Sequence, residues 1–438
     1  MNALKSAAGA TILSMGLMAA STGHAVSLQD AIQHTLTTSP DILMTTNERL
    51  ARDEEVRQAR SGYYPEIDAN AGIGYEWTDS PTTRSSAPSN GDEELTRKEA
   101  SLELRQMLFD GFATKSEVER QQARVSSASH KVWETKEKTS LRAVEVYLEL
   151  LRQKNLLALA EENLLAHQRI FDQIERRSES GVARKADLEQ ITGRLALADS
   201  NVIASKNNVI EAEANYQRVI GNRPEDSLER PTVPADAIPA TVEAAVAKGM
   251  ENHPTLKSAQ SDIDATTAQH RAAKHAFYPR FDLEVKRTWN DDLDGVMGKN
   301  EDFTAMLRMR WNLYKGHKDQ ARRNETAHLI NEAKDIHNRA VRQAEEGIRL
   351  SWASYEATTG QLNFLQKHVD ASKATRKAYG KQFDIGQRSL LDLLDTENEV
   401  FESSKAHLTA DHTNLFAQYR ILTGMGTLLE SIGISKEQ

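Results

Sequence analysis

The sequence predicts a mostly helical protein that also contributes strands to a membrane β-barrel. Three observations support this fold class. The sequence shows an internal duplication. Each half contains two strands of strict polar–apolar alternation, and each half contains helices too long for a globular domain. Each half is expected to run helix, strand, strand, helix, helix.

The first 25 residues have the layout of a secretory signal peptide. Lys5 gives a positive start, 7–20 is apolar and rich in alanine, and 23–25 is a small-residue cleavage site. The apolar stretch is too short to cross a bilayer, so we expect the mature protein to start at Val26. A buried N-terminal helix is the less favoured alternative.

Composition narrows the class of protein further. No other stretch is continuously apolar for about twenty residues, which argues against a transmembrane helix. The 438 residues include no cysteine, so neither a lipid anchor nor a disulfide is expected. Charged residues make up 27% and mean hydropathy is −0.60, as in long solvent-lined helices. The net charge of −9 argues against a nucleic-acid partner, because phosphate binding needs a basic surface.

The two halves repeat the same features in the same order. Residues 63–65 (Tyr-Tyr-Pro) recur as 277–279 (Phe-Tyr-Pro), an offset of 214. After a loop of variable length the offset becomes 205, and 108–111 (Leu-Phe-Asp-Gly) recurs as 313–316 (Leu-Tyr-Lys-Gly). Further matches at this offset are Gly181 with Gly386 and Asp187 with Asp392. These ordered matches predict an internal duplication.

The duplication divides the chain into a first repeat, 26–220, and a second repeat, 241–424, followed by a tail, 425–438. The linker between them, 221–240, holds four of the ten prolines, and each proline blocks helix continuation. We expect strands at about 64–78, 95–110, 279–290 and 302–314. We expect long helices at about 112–177, 187–220, 316–383 and 389–423.

The predicted strands have one apolar face and one polar face. The clearest case is the last strand, whose apolar positions are Phe303, Ala305, Leu307, Met309, Trp311 and Leu313. An apolar face of this kind meets either a protein core or lipid. Lengths of ten to twelve residues favour lipid, and so do three tryptophans on apolar faces, which predict an aromatic girdle: Trp77, Trp289 and Trp311.

The long helices carry a seven-residue apolar repeat. Leu188, Leu195, Val202 and Val209 follow this spacing in the first half. A strict seven-residue repeat predicts helices wound around their neighbours, whereas an ordinary amphipathic helix is the alternative. Proline-free stretches of this size would reach roughly 90–100 Å at 1.5 Å per residue.

Four membrane strands cannot close a sheet, since about eight is the practical minimum and an open edge in lipid leaves backbone groups unpaired. We therefore expect several copies to share one barrel. Copies around one axis would also align the long helices into a hollow cylinder lined by water. This reasoning does not fix the number of copies.

The order of these elements resembles the TolC-type outer-membrane factors over essentially the whole mature chain. The residues that carry the resemblance are the strand entries 63–65 and 277–279 and the strand exits 108–111 and 313–316. The resemblance implies a homotrimer with a twelve-stranded β-barrel in outer-membrane lipid, on a long coiled-coil α-barrel in the periplasm. It implies no cofactor.

The resemblance also implies a function in export. The protein would pass substrates outward from an inner-membrane ABC transporter or efflux pump through a periplasmic adaptor. In lacking a lipid-anchor cysteine, the sequence resembles the type I secretion branch of the family. The segment 104–114 is most similar to members that export large adhesins. Two alternatives stay open: the exit duct of a multidrug efflux pump, and a periplasmic coiled-coil scaffold without a pore.

Site residues are expected at the turns between the long helices, which in the family lie at the periplasmic tip. Gly181 and Gly386 would supply positive φ at turns that contact the adaptor. Spacing of three places Asp392 and Asp395 on one helix face, and three copies would form two carboxylate rings, as in the family's acidic aperture. A helix N-terminal carboxylate is the plain alternative for each.

Two further sites are predicted from motifs. By the family pattern, Arg388 and Asp187 would pair across helices and hold the resting gate, with Phe383 and Ala186 replacing two hydrogen-bonding residues. Separately, a segment has nearly the spacing of a calcium loop, although a solvated acidic hairpin loop is the favoured explanation: Asn290, Asp292, Asp294 and Glu301. Motifs of catalysis are absent from the sequence, so no enzyme is predicted.

Overall fold

The computed structural model describes residues 27–86, 91–225 and 227–434, so the predicted signal peptide, 1–25, lies outside the described residues. The first half contains α1 (Leu28–Thr38), α2 (Pro40–Ser61), β1 (Glu66–Asp79), α3 (Pro81–Ser86), β2 (Asp92–Phe109), α4 (Ala113–Glu179) and α5 (Lys185–Ile220). The second half contains α6 (Val242–Asn252), α7 (Pro254–Ala273), a 3-10 turn (Lys274–Phe277), β3 (Arg280–Leu293), β4 (Val296–Arg310), α8 (Lys318–Asp384), α9 (Leu390–Gly424) and α10 (Leu428–Ser431).

Each half opens with a bent pair of helices whose ends are set by local chemistry. The Ser27 hydroxyl accepts a hydrogen bond from the Asp30 N–H at the start of α1. Pro40 occupies the first turn of α2, where its missing N–H costs nothing and its ring prevents α1 from continuing. Thr241 and Pro254 play the same parts for α6 and α7.

The four strands form one antiparallel sheet in the order β1, β2, β3, β4. The last strand lies at 296–310, earlier than the 302–314 expected from the sequence. It starts earlier because the acidic segment before it is itself paired, with Leu293 opposite Val296. It ends at Arg310 because β3 begins opposite it at Arg280, which leaves Trp311 without a strand beside it in one copy.

Near the helix end of the sheet, the register pairs apolar residues on one face and charged residues on the other. Ile67 lies opposite Leu104 and Ala69 opposite Leu102 on one face, whereas Glu66 lies opposite Arg105 on the other. Because side chains alternate along a strand, one face is apolar near the helix end of the sheet and remains exposed in one copy, whereas nearer the loops it also carries charged residues, with Lys98 opposite Ile73 and Glu94 opposite Trp77. The apolar part of this face therefore needs an apolar surrounding.

The long helices α4 and α8 each have 67 residues and extend roughly 100 Å from the sheet. α5 and α9 return along them. α4 packs on α5 on one side and on α9 on the other, and α8 packs on α9. Nearer the sheet the order is α2, α4, α7, α8. At both levels α8 lies at one edge of the layer, and α5 or α2 lies at the other.

Two apolar clusters hold these helices together. The larger one lies at mid-height, where α1, α6 and α10 join the long helices around Tyr147, Tyr216 and Tyr419. The Tyr147 hydroxyl donates to the Glu229 carbonyl in the linker at 2.6 Å. Leu428 and Leu429 are fully buried, so the segment expected as a tail packs into the core as far as α10. The smaller cluster lies beneath the two tip turns.

Among the residues that the structure describes, no helix combines the length and apolar character needed to cross a membrane.

Candidate functional site

The two turns that join the long helices are built in the same way. Gly181 has φ +76° and Gly386 has φ +77°. The Val182 N–H donates to the Arg177 carbonyl and the Gly181 N–H to the Ser178 carbonyl, the two hydrogen bonds of a Schellman motif. The turn at Gly386 repeats both bonds with its own residues. Glycine is needed because other residues adopt this left-handed conformation only at a cost.

Apolar side chains beneath the turns join the two repeats. The cluster takes residues from α4, α5, α8 and α9: Ile170, Ile174, Ile191, Phe383, Leu390, Leu393 and Leu394. The Arg177 guanidinium on α4 lies 5.1 Å from the Phe383 ring centre on α8. Gln173 on α4 donates to Asp384 on α8 at 3.2 Å. The turn tips are thus fixed to each other within one copy.

Asp392 forms the N-terminal cap of α9 together with Ser389. The Ser389 hydroxyl donates to the Asp392 carboxylate at 2.8 Å and accepts from the Asp392 N–H at 3.2 Å. The Ser389 N–H also donates to this carboxylate, which completes a capping box. These bonds hold the pKa of Asp392 below its ordinary value. The plain reading of a helix N-terminal carboxylate therefore applies to Asp392, whatever further role it has.

Asp395 lies one turn further along α9 and contacts the other repeat. Its carboxylate accepts a hydrogen bond from Arg194 on α5 at 3.4 Å, and its side chain remains 60% exposed. Asp392 and Asp395 lie three residues apart and so project from nearby positions on the same helix. One copy thus presents two carboxylates at the end of the helix layer.

The predicted pair of Arg388 with Asp187 does not form among the described residues of one copy. Arg388 turns back onto α8, where it donates to Gln382 at 3.0 Å and stacks on Tyr379 at 4.1 Å from its ring centre. A longer contact of 4.0 Å reaches Asp392. The reason is local: Arg388 follows the turn closely enough to fold onto the helix that it has just left.

Asp187 lies in the first turn of α5, at the position equivalent to Asp392. Arg184 stands there where the second repeat has Ser389, and α5 has no side-chain cap. The two turns therefore differ in charge and in how firmly their second helix begins. This asymmetry is visible in the sequence once the offset of 205 is applied.

The three predicted tryptophans lie at two levels of the sheet's apolar face. Trp77 and Trp289 lie near the end away from the long helices, and Trp311 lies at the helix end. Trp289 is opposite Glu301, and Trp311 follows ten residues later, roughly 34 Å along the strand. A strand tilted by about 45° would cover a band of about 24 Å over this length, close to the apolar band of membrane barrels.

The opposite face of the sheet carries a network of ion pairs that sequence reasoning missed. Glu284 accepts from Arg308 at 2.6 Å and from Arg310 at 2.8 Å. Asp282 is fully buried between Arg280 and Arg310, at 2.9 Å and 3.1 Å. The alternation of charges along each strand indicated a polar face, but only the register between strands reveals which charges meet.

The suggested calcium loop does not assemble. Glu301 lies on β4 and pairs with Arg287 at 3.0 Å, and Asp294 pairs with Arg97 at 3.3 Å. The Asp292 carboxylate accepts from the Gly298 N–H. These residues belong to a paired hairpin, which spreads them over two strands instead of wrapping them around one point. No group of three or more possible metal ligands occurs within the described ranges.

Comparison with known proteins gives a family match and several relatives that align over most of this chain. The family described as Outer membrane efflux protein matches residues 31–222 and 247–427, once in each repeat. Outer membrane efflux protein BepC of Brucella suis biovar 1 is 24% identical over 392 residues, 88% of this chain and 82% of BepC. Outer membrane protein TolC of Escherichia coli K12 is 22% identical over 425 residues, 94% of this chain and 84% of TolC.

Two further similarities concern secretion and fold. Alkaline protease secretion protein AprF of Pseudomonas aeruginosa is 20% identical over 411 residues, 92% of this chain and 85% of AprF. The crystal structure of a membrane protein from Pseudomonas aeruginosa superposes with a TM-score of 0.80 at 16% identity, covering 94% of this chain and 91% of that one. The duplicated fold is therefore shared with that structure over 94% of this chain.

Proposed function

The chain belongs to the outer membrane efflux protein family, in line with its resemblance to TolC-type factors, and from this premise we propose how it acts. Members of this family are outer-membrane channels with a large periplasmic part, not enzymes. We propose that three copies share a twelve-stranded barrel in outer-membrane lipid and a periplasmic helical tube. The tube would receive substrate from an inner-membrane transporter through a periplasmic adaptor.

The observation that supports assembly is the sheet with two unpaired edges. Among the residues that the structure describes, β1 and β4 each present one side of backbone donors and acceptors without a neighbouring strand in one copy. In lipid each unpaired group costs several kcal/mol, so a stable membrane sheet must close on further copies. The helices have the same edge order, with α8 on one side and α2 or α5 on the other. One rotation about a common axis would therefore close both layers.

Exposed apolar residues at these edges favour the same arrangement. On α8 they recur at multiples of seven, at Ile336, Leu350 and Phe364, and on α5 at Ile203 and Ile210. Large exposed apolar stripes on a soluble helix need a partner. In a ring, the α8 stripe of one copy would meet the α5 stripe of the next.

A protein is the proposed substrate, with a large adhesin as the narrower version. Two considerations favour it: AprF is named for protease secretion, and 104–114 is similar to adhesin-exporting members. The second candidate is the exit duct of a multidrug efflux pump, which the name of BepC favours. Deleting the gene distinguishes the two candidates. Loss of a secreted protein from the medium would support protein export, whereas increased drug sensitivity would support drug efflux.

The proposed constriction lies where three copies of α9 begin. Three copies of Asp392 and Asp395 around the axis would form two carboxylate rings that attract cations and slow anions. The proposed role of Gly181 and Gly386 is to shape the turns that the adaptor contacts. Val182 and Ile385 follow or precede these glycines and are exposed, so they could fill apolar sites on the adaptor. We also propose that the Arg388 and Asp187 pair forms between neighbouring copies.

Mass and conductance test this proposal. Mature protein extracted in detergent should have three times the mass of one chain, and after reconstitution it should conduct across a planar bilayer. Asp392→Asn combined with Asp395→Asn should lower the preference for cations, while Asp370→Asn on α8 serves as a control acid away from the turn. A monomer that leaves membranes in plain buffer would instead match the non-pore scaffold.

A further inference from the structure

We propose that the seam between copies repeats the seam between β2 and β3, in a register that the duplication fixes. This inference rests on the proposed assembly and adds which residues meet across it. β2 is the second strand of the first repeat, and β3 is the first strand of the second repeat. Closing the ring would bring β4 beside β1 of the next copy. β4 is the second strand of the second repeat, and β1 is the first strand of the first repeat. The two seams join equivalent strands.

The strand directions satisfy this equivalence. β4 runs toward the long helix α8, and β1 runs away from α2. Side by side these two strands would be antiparallel, as are the three neighbouring strand pairs observed in the sheet. The foot of β4 would therefore lie beside the residues that precede β1. Pro65 lies there and has no N–H to donate, which suits the end of a paired segment.

The observed register converts directly into a predicted one. Arg105 on β2 lies opposite Glu284 on β3. Adding the repeat offset of 205 to Arg105 gives Arg310, and subtracting the offset of 214 from Glu284 gives Asn70. Arg310 is therefore expected opposite the next copy's Asn70. These residues lie on the polar face. The pair observed inside one copy thus has a polar counterpart between copies.

The apolar face gives an independent check on this register. Leu102 lies opposite Arg287 in the observed seam, and the same offsets place Leu307 opposite the next copy's Ile73. A slip by one residue would put the apolar face of β4 beside the polar face of β1. In the proposed register the apolar pairs are Met309 with Ala71, Leu307 with Ile73, Ala305 with Tyr75, and Phe303 with Trp77.

An aromatic cluster marks the foot of the observed seam. Phe109 and Phe112 meet edge to face, with ring centres 5.4 Å apart. Tyr278, from the segment before β3, completes the cluster at 6.5 Å from Phe109 and 6.1 Å from Phe112. Two rings thus come from one side of the seam and the third from the other side.

The free edge of β4 carries the same cluster with its third ring missing. Tyr314 and His317 are the equivalents of the first two rings, and they also meet edge to face at 5.5 Å. The equivalent of the third ring is Tyr64, which lies at the opposite edge of the same copy. Tyr64 and Tyr314 are each 71% exposed, whereas their equivalents in the observed cluster are more covered, with Tyr278 at 47% and Phe109 partly buried. The next copy's Tyr64 fits the missing position.

A glycine beside each cluster supports the same placement. At Gly111 an added Cβ would lie 2.8 Å from the His275 carbonyl oxygen and 2.8 Å from the Tyr278 Cβ. At its equivalent, Gly316, no atom of the described part of one copy lies within 4 Å of such a Cβ. In the proposed seam the next copy's Ser61 and Tyr64 take the places of His275 and Tyr278. The second glycine thereby gains the close approach that the first one shows.

Disulfide trapping tests the register, and the chain has no native cysteine to interfere. The test variant is Leu307→Cys with Ile73→Cys in one chain. Within a copy these positions lie three strands apart, about 14 Å, too far for a disulfide. Register controls pair Leu307→Cys with Ala71→Cys or with Tyr75→Cys, each two residues away on the same face. Covalent trimer is measured after mild oxidation in detergent and denaturing electrophoresis.

The expected result is at least fivefold more covalent trimer for the 307/73 variant than for either control. If a control links best, or if none of the three links, the register is overturned. The native mass of the unoxidised protein keeps this outcome apart from failure of the proposed assembly. A trimeric mass with the wrong link rejects only the register, and a monomeric mass rejects both.

Variants of Tyr64 test the aromatic cluster separately. Tyr64→Ala should lower the temperature at which the detergent-solubilised oligomer dissociates, whereas Tyr64→Phe should preserve it because the ring is kept. Folding of each copy is followed by helical circular dichroism, which both variants should leave unchanged. Equal dissociation temperatures for the two variants and the unmodified protein would overturn the proposed contact.

Discussion

Arg194 on α5 donates a hydrogen bond to Asp395 on α9, at 3.4 Å between Nη2 and Oδ1. This contact joins the returning helices of the two repeats close to their turns. The carboxylate that was expected to line an aperture is therefore also held by the neighbouring repeat. In the proposed assembly, any outward movement of α9 at the tip would have to break or carry this pair.

Arg194→Ala should increase the open fraction of the reconstituted channel. The pair is largely exposed, so its loss is worth about 0.5 kcal/mol, or roughly a twofold change in a two-state equilibrium. Single-channel recording in bilayers measures this fraction. Arg218→Ala, on the same helix far from the turn, is the matched control. An unchanged open fraction in Arg194→Ala would exclude a gating role for the pair.

Gly386→Ala should destabilise the tip turn by about 1–2 kcal/mol, the cost of a left-handed conformation for a residue with a Cβ. No described residue of the chain has an atom within 4 Å of the added Cβ, so the expected cost is strain in φ. Gly380→Ala in α8 has the same open surroundings but lies within a helix, and it should stabilise by about 1 kcal/mol. Hydrogen exchange of the peptide spanning the turn reports both changes. Similar exchange in the two variants would contradict the assigned conformation.

Acid should weaken the start of α7 through His253. Its Nδ1 accepts a hydrogen bond from the Thr255 N–H at 3.3 Å, which requires a neutral ring. Burial lowers the pKa of His253 below its ordinary value. The unfolded chain then binds the proton first, so stability falls as pH drops below the ordinary value of about 6.5 and levels off below the folded pKa.

The variant His253→Asn tests this pH dependence because asparagine caps a helix without titrating. The difference in unfolding temperature between the variant and the unmodified protein should grow in favour of the variant as pH falls from 7.5 to 5. Other histidines titrate equally in both proteins, so the difference isolates this one. His253→Ala should be about 1 kcal/mol less stable than His253→Asn at every pH, since it removes a cap that does not titrate. A difference independent of pH would show that the ring does not titrate as described.

Tyr147→Phe should cost about 1–2 kcal/mol, because the Glu229 carbonyl loses the hydroxyl that donates to it at 2.6 Å. The bond ties the linker to α4, so limited proteolysis within 222–240 should also become faster. Tyr216→Phe is the control: its ring centre lies 6.4 Å from that of Tyr147, and removing its hydroxyl leaves the linker bond intact. Equal proteolysis rates in the two variants would assign the linker's order to other contacts.

The sequence was informative wherever one periodicity runs over many residues. Long helices followed from the absence of proline in 112–177 and 316–383, and the two faces of the sheet followed from strict alternation. Both patterns average over many side chains, so single exceptions such as Met306 on the polar face do not disturb them. Because of the duplication, each element could be predicted independently in both halves of the chain.

Individual side-chain partners could not be predicted in the same way. Arg388 folds back onto Tyr379 and Gln382 instead of reaching Asp187, because rotamers and local packing decide among several partners within reach. The spacing of Ser389 and Asp392 is compatible with a capping box, but spacing alone indicates only an acid near a helix N-terminus, and the reciprocal hydrogen bonds identify the box. The pairing of Arg194 with Asp395 needs the lateral position of two helices, which periodicity does not contain.

The ion pairs on the polar face have a consequence for how copies could come together. Arg308 and Arg310 neutralise Glu284 inside one chain, and Arg280 and Arg310 flank Asp282. When identical surfaces converge on a rotation axis, every uncompensated charge is multiplied by the symmetry and repels its own images. Here three arginines face two carboxylates in each subunit, so closing the ring would concentrate only one net positive charge per subunit at the foot of the sheet.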